Sequence, residues 1–265
     1  MAGGRSFATV ISTIAVALLA GCASQSGLSN SGLLNSSAAG SSAGGATVET
    51  AKSGSFNPFG DNDGNAVLRQ RQIIENPTVA QIMQPGPLPE RSLGRADAPV
   101  TMIKYASMTC PYCRKFQIET FPILKREYID TGKVRFILRE FPIGFQSGAA
   151  TIALRCAPAD KHFALYDKLM RQQRRWVSQE VRRDPIFQVA RQVGITRQRF
   201  DACFADKTLA ANLNQIKERG RTLGVIGTPN YFINGKLIKR RLTTNDIHKL
   251  VRDALAKPVV AANNG

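Results

Sequence analysis

The 265-residue chain predicts an α/β fold in which an all-helical insertion separates the two halves of one sheet. Three observations lead there. Two strand-like runs, Val100–Ala106 and Lys133–Phe141, bracket a helix-spaced segment, and the second alternates Val134, Phe136 and Leu138. A block over residues 145–223 then carries helical periodicity and little strand signal. Strand character returns at Asn230–Ile233, followed by the hairpin signal Asn234-Gly235 and a return run, Lys236–Lys239.

The elements follow in chain order. Phe7 to Ala20 is almost wholly apolar behind a single basic residue, Arg5. That run is too short for a comfortable membrane span and suits a signal-peptide core. It ends Leu19-Ala20-Gly21-Cys22, and small residues before a cysteine resemble the lipobox of bacterial lipoproteins. There, cleavage precedes the cysteine and its sulfur is acylated, so residues 1–21 form a lipoprotein signal peptide and Cys22 is the lipid attachment point. An ordinary secretory signal with an incidental cysteine is the alternative. Residues 22–65 are rich in Ser, Gly and Ala, too polar to build a core, and read as a flexible tether. Such a length spans roughly 35–40 Å, enough to hold a domain clear of a lipid surface.

Residues 66–92 hold a short helix, expected over Ala66–Gln84 from the spacing of Val67, Leu68, Ile73 and Ile74, and a linker, Pro85-Gly86-Pro87-Leu88-Pro89, that ends it. The folded domain is expected over 93–257, with one core, leaving 258–265 as a tail. Inside it, Pro111 to Tyr128 reads as a helix kinked or broken at Pro122. Helices are expected at Ser147–Cys156, Lys161–Arg175, Pro185–Val193, Arg197–Ala205 and Leu209–Leu223, and Thr243 and Asp246 open a last one.

Net charge is +17, and loss of residues 1–21 removes only Arg5, leaving +16. Arg171, Arg174, Arg175, Arg182 and Arg183 gather around Trp176, the single tryptophan. Nucleic-acid binding needs basic residues interleaved with stacking aromatics and access to nucleic acid, which an exported chain lacks. The arginines read as a solvated helix face near anionic headgroups.

The five cysteines divide by role. Cys110-Pro111-Tyr112-Cys113 directly follows the first strand, so both sulfurs fall at a helix start. The unpaired N–H groups and the positive end of the helix dipole stabilise a thiolate on the first, more exposed cysteine. Pro111 suits the first turn, where its missing N–H has no intrahelical partner. A low-pKa thiolate beside a second thiol is the minimum machinery of thiol–disulfide exchange. The competing reading, half of a zinc site, lacks a second C-x-x-C or paired histidines, since His162 and His248 lie far off in the chain. A copper role asks for more histidine or methionine than Met108 supplies. Metal ligands are therefore expected to be none, and no cofactor is called for beyond a redox-active Cys110–Cys113 disulfide. Cys156 and Cys203 remain; in a compartment that keeps disulfides, an even remainder invites a structural bridge, the alternative being two buried thiols.

Thr228-Pro229 precedes the hairpin within Gly224-Val225-Ile226-Gly227-Thr228-Pro229-Asn230-Tyr231-Phe232-Ile233-Asn234-Gly235. Together with Tyr105-Ala106-Ser107-Met108-Thr109-Cys110-Pro111-Tyr112-Cys113, this stretch resembles the DsbA family of exported thiol–disulfide oxidoreductases, over residues 93–257. The resemblance implies a thioredoxin-like fold. It also implies Cys110 as attacking nucleophile, Cys113 as resolving thiol, and Pro229 as a cis-proline that, with Thr228, lies against an extended substrate segment. It further implies a monomer that gives its disulfide to reduced or unfolded exported proteins and is reoxidised by a membrane quinone-linked, DsbB-like partner. The location it implies is the bacterial envelope, lipid-anchored through Cys22 and facing the periplasm.

Two residues depart from the family pattern. Tyr112 stands where strongly oxidising members carry histidine, which predicts a Cys110 acidity between about 7, as in thioredoxin, and about 3.5, as in DsbA. Lys104 stands where relatives carry a buried acid thought to handle the proton of the resolving thiol. A lysine there either favours a thiolate, or accepts a proton once burial lowers its pKa, or carries its ammonium to solvent and takes no part. Two rival functions remain at this level: an isomerase or reductase of the same fold, and an envelope-surface binding lipoprotein that needs neither cysteine.

Overall fold

A computed structural model describes residues 73–256. The signal peptide, Cys22, the whole 22–65 tether, the first part of the helix expected over 66–84 and the 258–265 tail lie outside the described residues. A five-stranded sheet has the order β1-β3-β2-β4-β5, from β1 (Arg91–Leu93), β2 (Val100–Ala106), β3 (Val134–Glu140), β4 (Asn230–Ile233) and β5 (Lys236–Ile238). β2 and β3 are parallel, and the other neighbours are antiparallel. Parallel pairing requires a crossover helix, which Pro111–Ile129 supplies.

That crossover is more continuous than Pro122 suggested. α2 (Pro111–Lys115) passes into a π-helical turn, Phe116–Thr120, then α3 (Phe121–Leu124) and a second π turn, Lys125–Ile129. Pro122 sits in the first turn of α3. Its missing N–H is absorbed where the bonding has already widened, so the chain continues without a break.

The helix expected over Ala66–Gln84 is a correction. Within the described part only α1 (Val79–Met83) is helical, because Thr78 caps it and forms a capping box with Gln81, after Pro77. Ile73 and Ile74 precede it outside any helix. Ile82 on α1 is buried against the sheet face that carries Ile103, Tyr105, Ile137 and Phe232. The expected domain edge at Leu93 falls inside β1, a three-residue strand too short to show alternation.

The insertion is helical throughout: α4 (Phe145–Arg155), α5 (His162–Arg171), α6 (Gln173–Trp176), α7 (Arg183–Ala190), α8 (Arg197–Ala205) and α9 (Lys207–Thr222). The single expected segment Lys161–Arg175 divides at Gln172 into α5 and α6. α4 to α8 pack on the Met102–Phe136 face of the sheet, where Leu165, Leu169, Trp176, Ile186 and Phe200 are buried. α9 returns across the opposite face. Gly220 allows that approach, since a Cβ there would lie 2.7 Å from the Tyr105 ring. α10 (Thr244–Ala256) is the last helix among the described residues, its Ile247 and Val251 in the core. Trp176 is buried with its ring N–H donated to the Leu169 carbonyl at 2.8 Å, while Arg171, Arg174 and Arg175 are exposed. The arginine cluster therefore surrounds a core tryptophan, with no stacking platform at that ring.

Candidate active site

β2 ends at Ala106, and Ser107–Cys110 turn the chain into α2. Cys110 is the N-cap: its backbone is extended, and its Sγ accepts the Cys113 N–H at 3.3 Å. Pro111 takes the first helical position, as its lack of an N–H favours. Cys110 is half-buried, Cys113 fully buried, and the two are separate thiols. Tyr112 between them is exposed.

The cis peptide Thr228-Pro229 stands directly opposite. The Cys110 thiol donates to the Thr228 carbonyl at 3.2 Å, bringing together two segments 118 residues apart. The loop is braced by Asn230, whose Nδ2 donates to the Pro229 carbonyl at 2.9 Å and whose Oδ1 accepts the Ile226 N–H at 3.4 Å.

Two polar residues of the insertion hold the turn and carry no sequence signature. Ser147 on α4 exchanges a hydroxyl bond with Ser107 at 2.7 Å and accepts the Met108 N–H at 3.0 Å. Gln173 on α6 donates to the Met108 and Cys110 carbonyls at 2.7 and 3.1 Å. Backbone groups next to a reactive sulfur are thus paired from the insertion, which fixes the turn.

The electrostatics separate the two sulfurs. Cys110 is lowered from the ordinary 9.0 to about 6, first by its hydrogen bond with the Cys113 side chain and further by the Thr228 hydroxyl and the Cys113 and Tyr112 N–H groups, against the opposing effect of burial. Burial pushes Cys113 well above the ordinary thiol value, the bond to Cys110 adds to this, and the charge of Lys104 opposes it. One sulfur is acidic and partly exposed; the other is enclosed and held towards the protonated form. That asymmetry fits exchange in which Cys110 meets the outside sulfur and Cys113 resolves the mixed disulfide.

Lys104 is completely buried, which removes the reading in which its stem carries the ammonium to solvent. Cys156 and Cys203 form a disulfide, Cα atoms 6.0 Å apart, tying the end of α4 to α8. Among the described residues no group of three His, Cys, Asp or Glu side chains is placed to hold a metal, and no helix is long and apolar enough to cross a membrane.

A family model described as thioredoxin matches residues 88–253. A Rickettsia bellii relative bearing a protein-disulfide oxidoreductase name is 32% identical over 173 residues, 63% of this chain and 66% of its own. This chain spans between 52% and 66% of the length of the Rickettsia relatives it matches. Among solved structures, alpha-DsbA1 of Wolbachia pipientis is similar with a TM-score of 0.61 and 27% identity, over 68% of this chain and 99% of that one. Oxidised BdbD from Bacillus subtilis shares the fold, with a TM-score of 0.58 and 23% identity over 63% of this chain and 93% of its own.

Proposed function

We propose that this chain, which belongs to the thioredoxin family and within it to the DsbA type, is a thiol–disulfide oxidoreductase that forms disulfides in exported proteins. The observation that carries the reading is the Cys110 sulfur lying 3.2 Å from the carbonyl of Thr228, at a cis Thr-Pro, with Cys113 sealed behind it. In the oxidised state a substrate thiolate attacks Cys110, and the electron pair leaves on Cys113. A second substrate thiolate then attacks the substrate's own sulfur in the mixed disulfide, forming its disulfide and releasing reduced enzyme.

The substrate is an unfolded segment. An extended chain beside Thr228 can add to the loop as a strand, which reads backbone and tolerates many sequences. Exposed apolar side chains lie beside the cysteine turn: Tyr112 and Ile226, which line one pocket with Thr228 and Pro229, and Ile143, with Ile226 at 75% exposure. Ile143 belongs to this rim because its N–H donates to Ser107 Oγ at 3.3 Å, beside the cysteine turn. Apolar contacts of this kind favour reduced, unfolded chains over finished proteins.

The remaining expectations join this reading. A signal ending at Cys22, with the tether behind it, would hold the domain at a lipid surface facing the periplasm. A quinone-linked, DsbB-like membrane protein would return the electrons. An isomerase or reductase of the same fold shares the site, and the Cys110 acidity of about 6 lies closer to thioredoxin's about 7 than to DsbA's about 3.5.

Replacing Cys113 by Ala tests the proposal, because a mixed disulfide at Cys110 then has no resolving thiol. In cells, many unrelated exported proteins should be captured through Cys110. Recovery of none, with Cys110 normally reactive towards a thiol reagent, would contradict oxidation and leave a binding role ahead.

A further inference from the structure

Basic side chains reach the cysteine turn from two elements. Lys239, Arg240 and Arg241, in the segment that follows β5, line a concavity of about 460 Å³ with Tyr112, Ile226 and the Thr228-Pro229 peptide. Lys168, Arg174 and Arg175, on α5 and α6, line a second of about 560 Å³. The second adjoins the same turn, because Gln173, directly before Arg174, donates to the Cys110 carbonyl at 3.1 Å. The carboxylates at both patches are already engaged. Arg240 donates twice to Asp246, at 2.7 and 2.8 Å, and the Thr243 N–H donates to the same carboxylate at 2.8 Å. Glu119 lies 3.5 Å from Arg241 and 4.0 Å from Lys115. Asp167 accepts from Arg171 at 2.7 Å and from Gln117 at 3.2 Å. Lys168, Arg174, Arg175 and Lys239 have no ion pair among the described residues, and the last three are exposed. These cations stand uncompensated beside apolar side chains.

Resting on the exchange reading above, we propose that these two patches select the substrate: the preferred cysteine is one in an acidic segment, with Asp or Glu within a few residues of it. Apolar contacts beside the turn catch any unfolded chain. Unpaired cations add a preference among such chains, because they raise the encounter rate of anionic segments and oppose that of basic ones. An extended chain paired along Thr228 lies over the first concavity, which Thr228 itself lines.

The bond chemistry is unchanged by this selection. A substrate–Cys110 bond forms as the Cys110–Cys113 bond breaks, the substrate sulfur is oxidised, and the electron pair leaves on Cys113. The attacking thiolate is itself an anion, so the same cations draw it in; carboxylates beside it strengthen the pull and lysines weaken it. Screening keeps the effect local, since the Debye length is about 8 Å at physiological salt. Cations at the far end of the sheet therefore contribute little. Lys133 is one of these: it precedes β3, whose Val134 end pairs with Val100, whereas Glu140 pairs with Ala106 beside the cysteine turn. Arg126, in the last turn of the crossover, is another.

The test mixes the oxidised full chain with reduced peptides that carry one cysteine between glutamates or between lysines, and follows loss of the Cys110–Cys113 bond. Each rate is divided by the same peptide's rate with a small neutral disulfide, bis(2-hydroxyethyl) disulfide, which removes differences in thiol acidity. At physiological salt the glutamate peptide should react about tenfold faster, the lower end of what steering supplies. The gap should close as salt approaches about 1 M, where the Debye length is about 3 Å. Arg174→Gln combined with Lys239→Gln should cut the ratio to about threefold, half of the difference on a logarithmic scale. Arg126→Gln combined with Lys133→Gln, the same change of charge at the far end, should leave it in place. Equal rates for the two peptides overturn the inference, as does a ratio that the first pair of substitutions leaves unmoved or that both pairs lower alike; in each case the exchange reading stands. A chain that oxidises neither peptide overturns both.

Discussion

Cys110 carries the chemistry through one number, an acidity near 6 in place of 9.0. The causes are local: the Cys113 hydrogen bond first, then Thr228 and the first N–H groups of the helix. A folded-state value below the unfolded one means the thiolate contributes stability that is full above about 9. That contribution is lost as pH falls, and is gone below about 6. Denaturant midpoints of the reduced protein against Cys110→Ser should therefore differ most at high pH and converge by about pH 6. Thiolate absorbance should show the same midpoint, and a value near that of free cysteine would contradict the geometry. The two cysteines were legible as a short local pattern with a definite chemical meaning, while Thr228-Pro229, by itself an ordinary turn signal, was legible only through the family resemblance of the stretch around it. Ser147, Gln173 and Asn230 were not. They are common residue types, and their role exists only once α4, α6 and the cis-proline loop have folded onto the turn. Lys104 was legible as an anomaly, but its depth depended on Tyr166 and Phe116 covering it.

At the scale of elements, the insertion acts as a clamp on the cysteine turn, and its own bracing lies elsewhere. Cys156 and Cys203 join α4 to α8 across 47 residues, and Arg199 on α8 donates to the Cys156 carbonyl at 2.7 Å. Behind α4, Arg155 and Glu140 on β3 form a pair at 2.5 Å in which both side chains are buried. Replacing Cys156 and Cys203 by Ala should cost about 4 kcal/mol by the chain-entropy argument. Denaturant titration measures that loss, and the Cys110 midpoint should stay put, because no hydrogen bond of the turn comes from α8. A shifted midpoint would mean that the bridge positions the active site directly. Strands and insertion helices were legible from periodicity, since each buries one clear face. β1 was not, because three residues cannot show alternation and Arg91–Leu93 is a strand only through its pairing with β3. In the described part of the helix expected over 66–84, helix begins only at Val79, because Pro77 and the Thr78 cap set its start there, a local signal that outweighs apolar spacing.

For the molecule as a whole, two faces of one sheet do different work. One face takes the insertion and the buried floor of Lys104, Phe116, Tyr166 and Tyr231; the other is sealed by α1 and α9 around Tyr105. The cysteine helix emerges at the strand ends between them, with its apolar rim turned outward. Part of the chain's +17 charge borders that rim, since Lys239, Arg240 and Arg241 line one pocket with Tyr112, Ile226 and Thr228. Such a body needs no cofactor to move two electrons, because the bond made and broken is its own. Stoichiometric transfer tests this most directly. Oxidised full chain is mixed with a reduced, unfolded protein, and the appearance of disulfides in that protein is followed together with loss of the Cys110–Cys113 bond. One substrate disulfide should form for each enzyme disulfide lost, and Cys110→Ser should give none. A wild type that transfers no faster than Cys110→Ser would contradict the account.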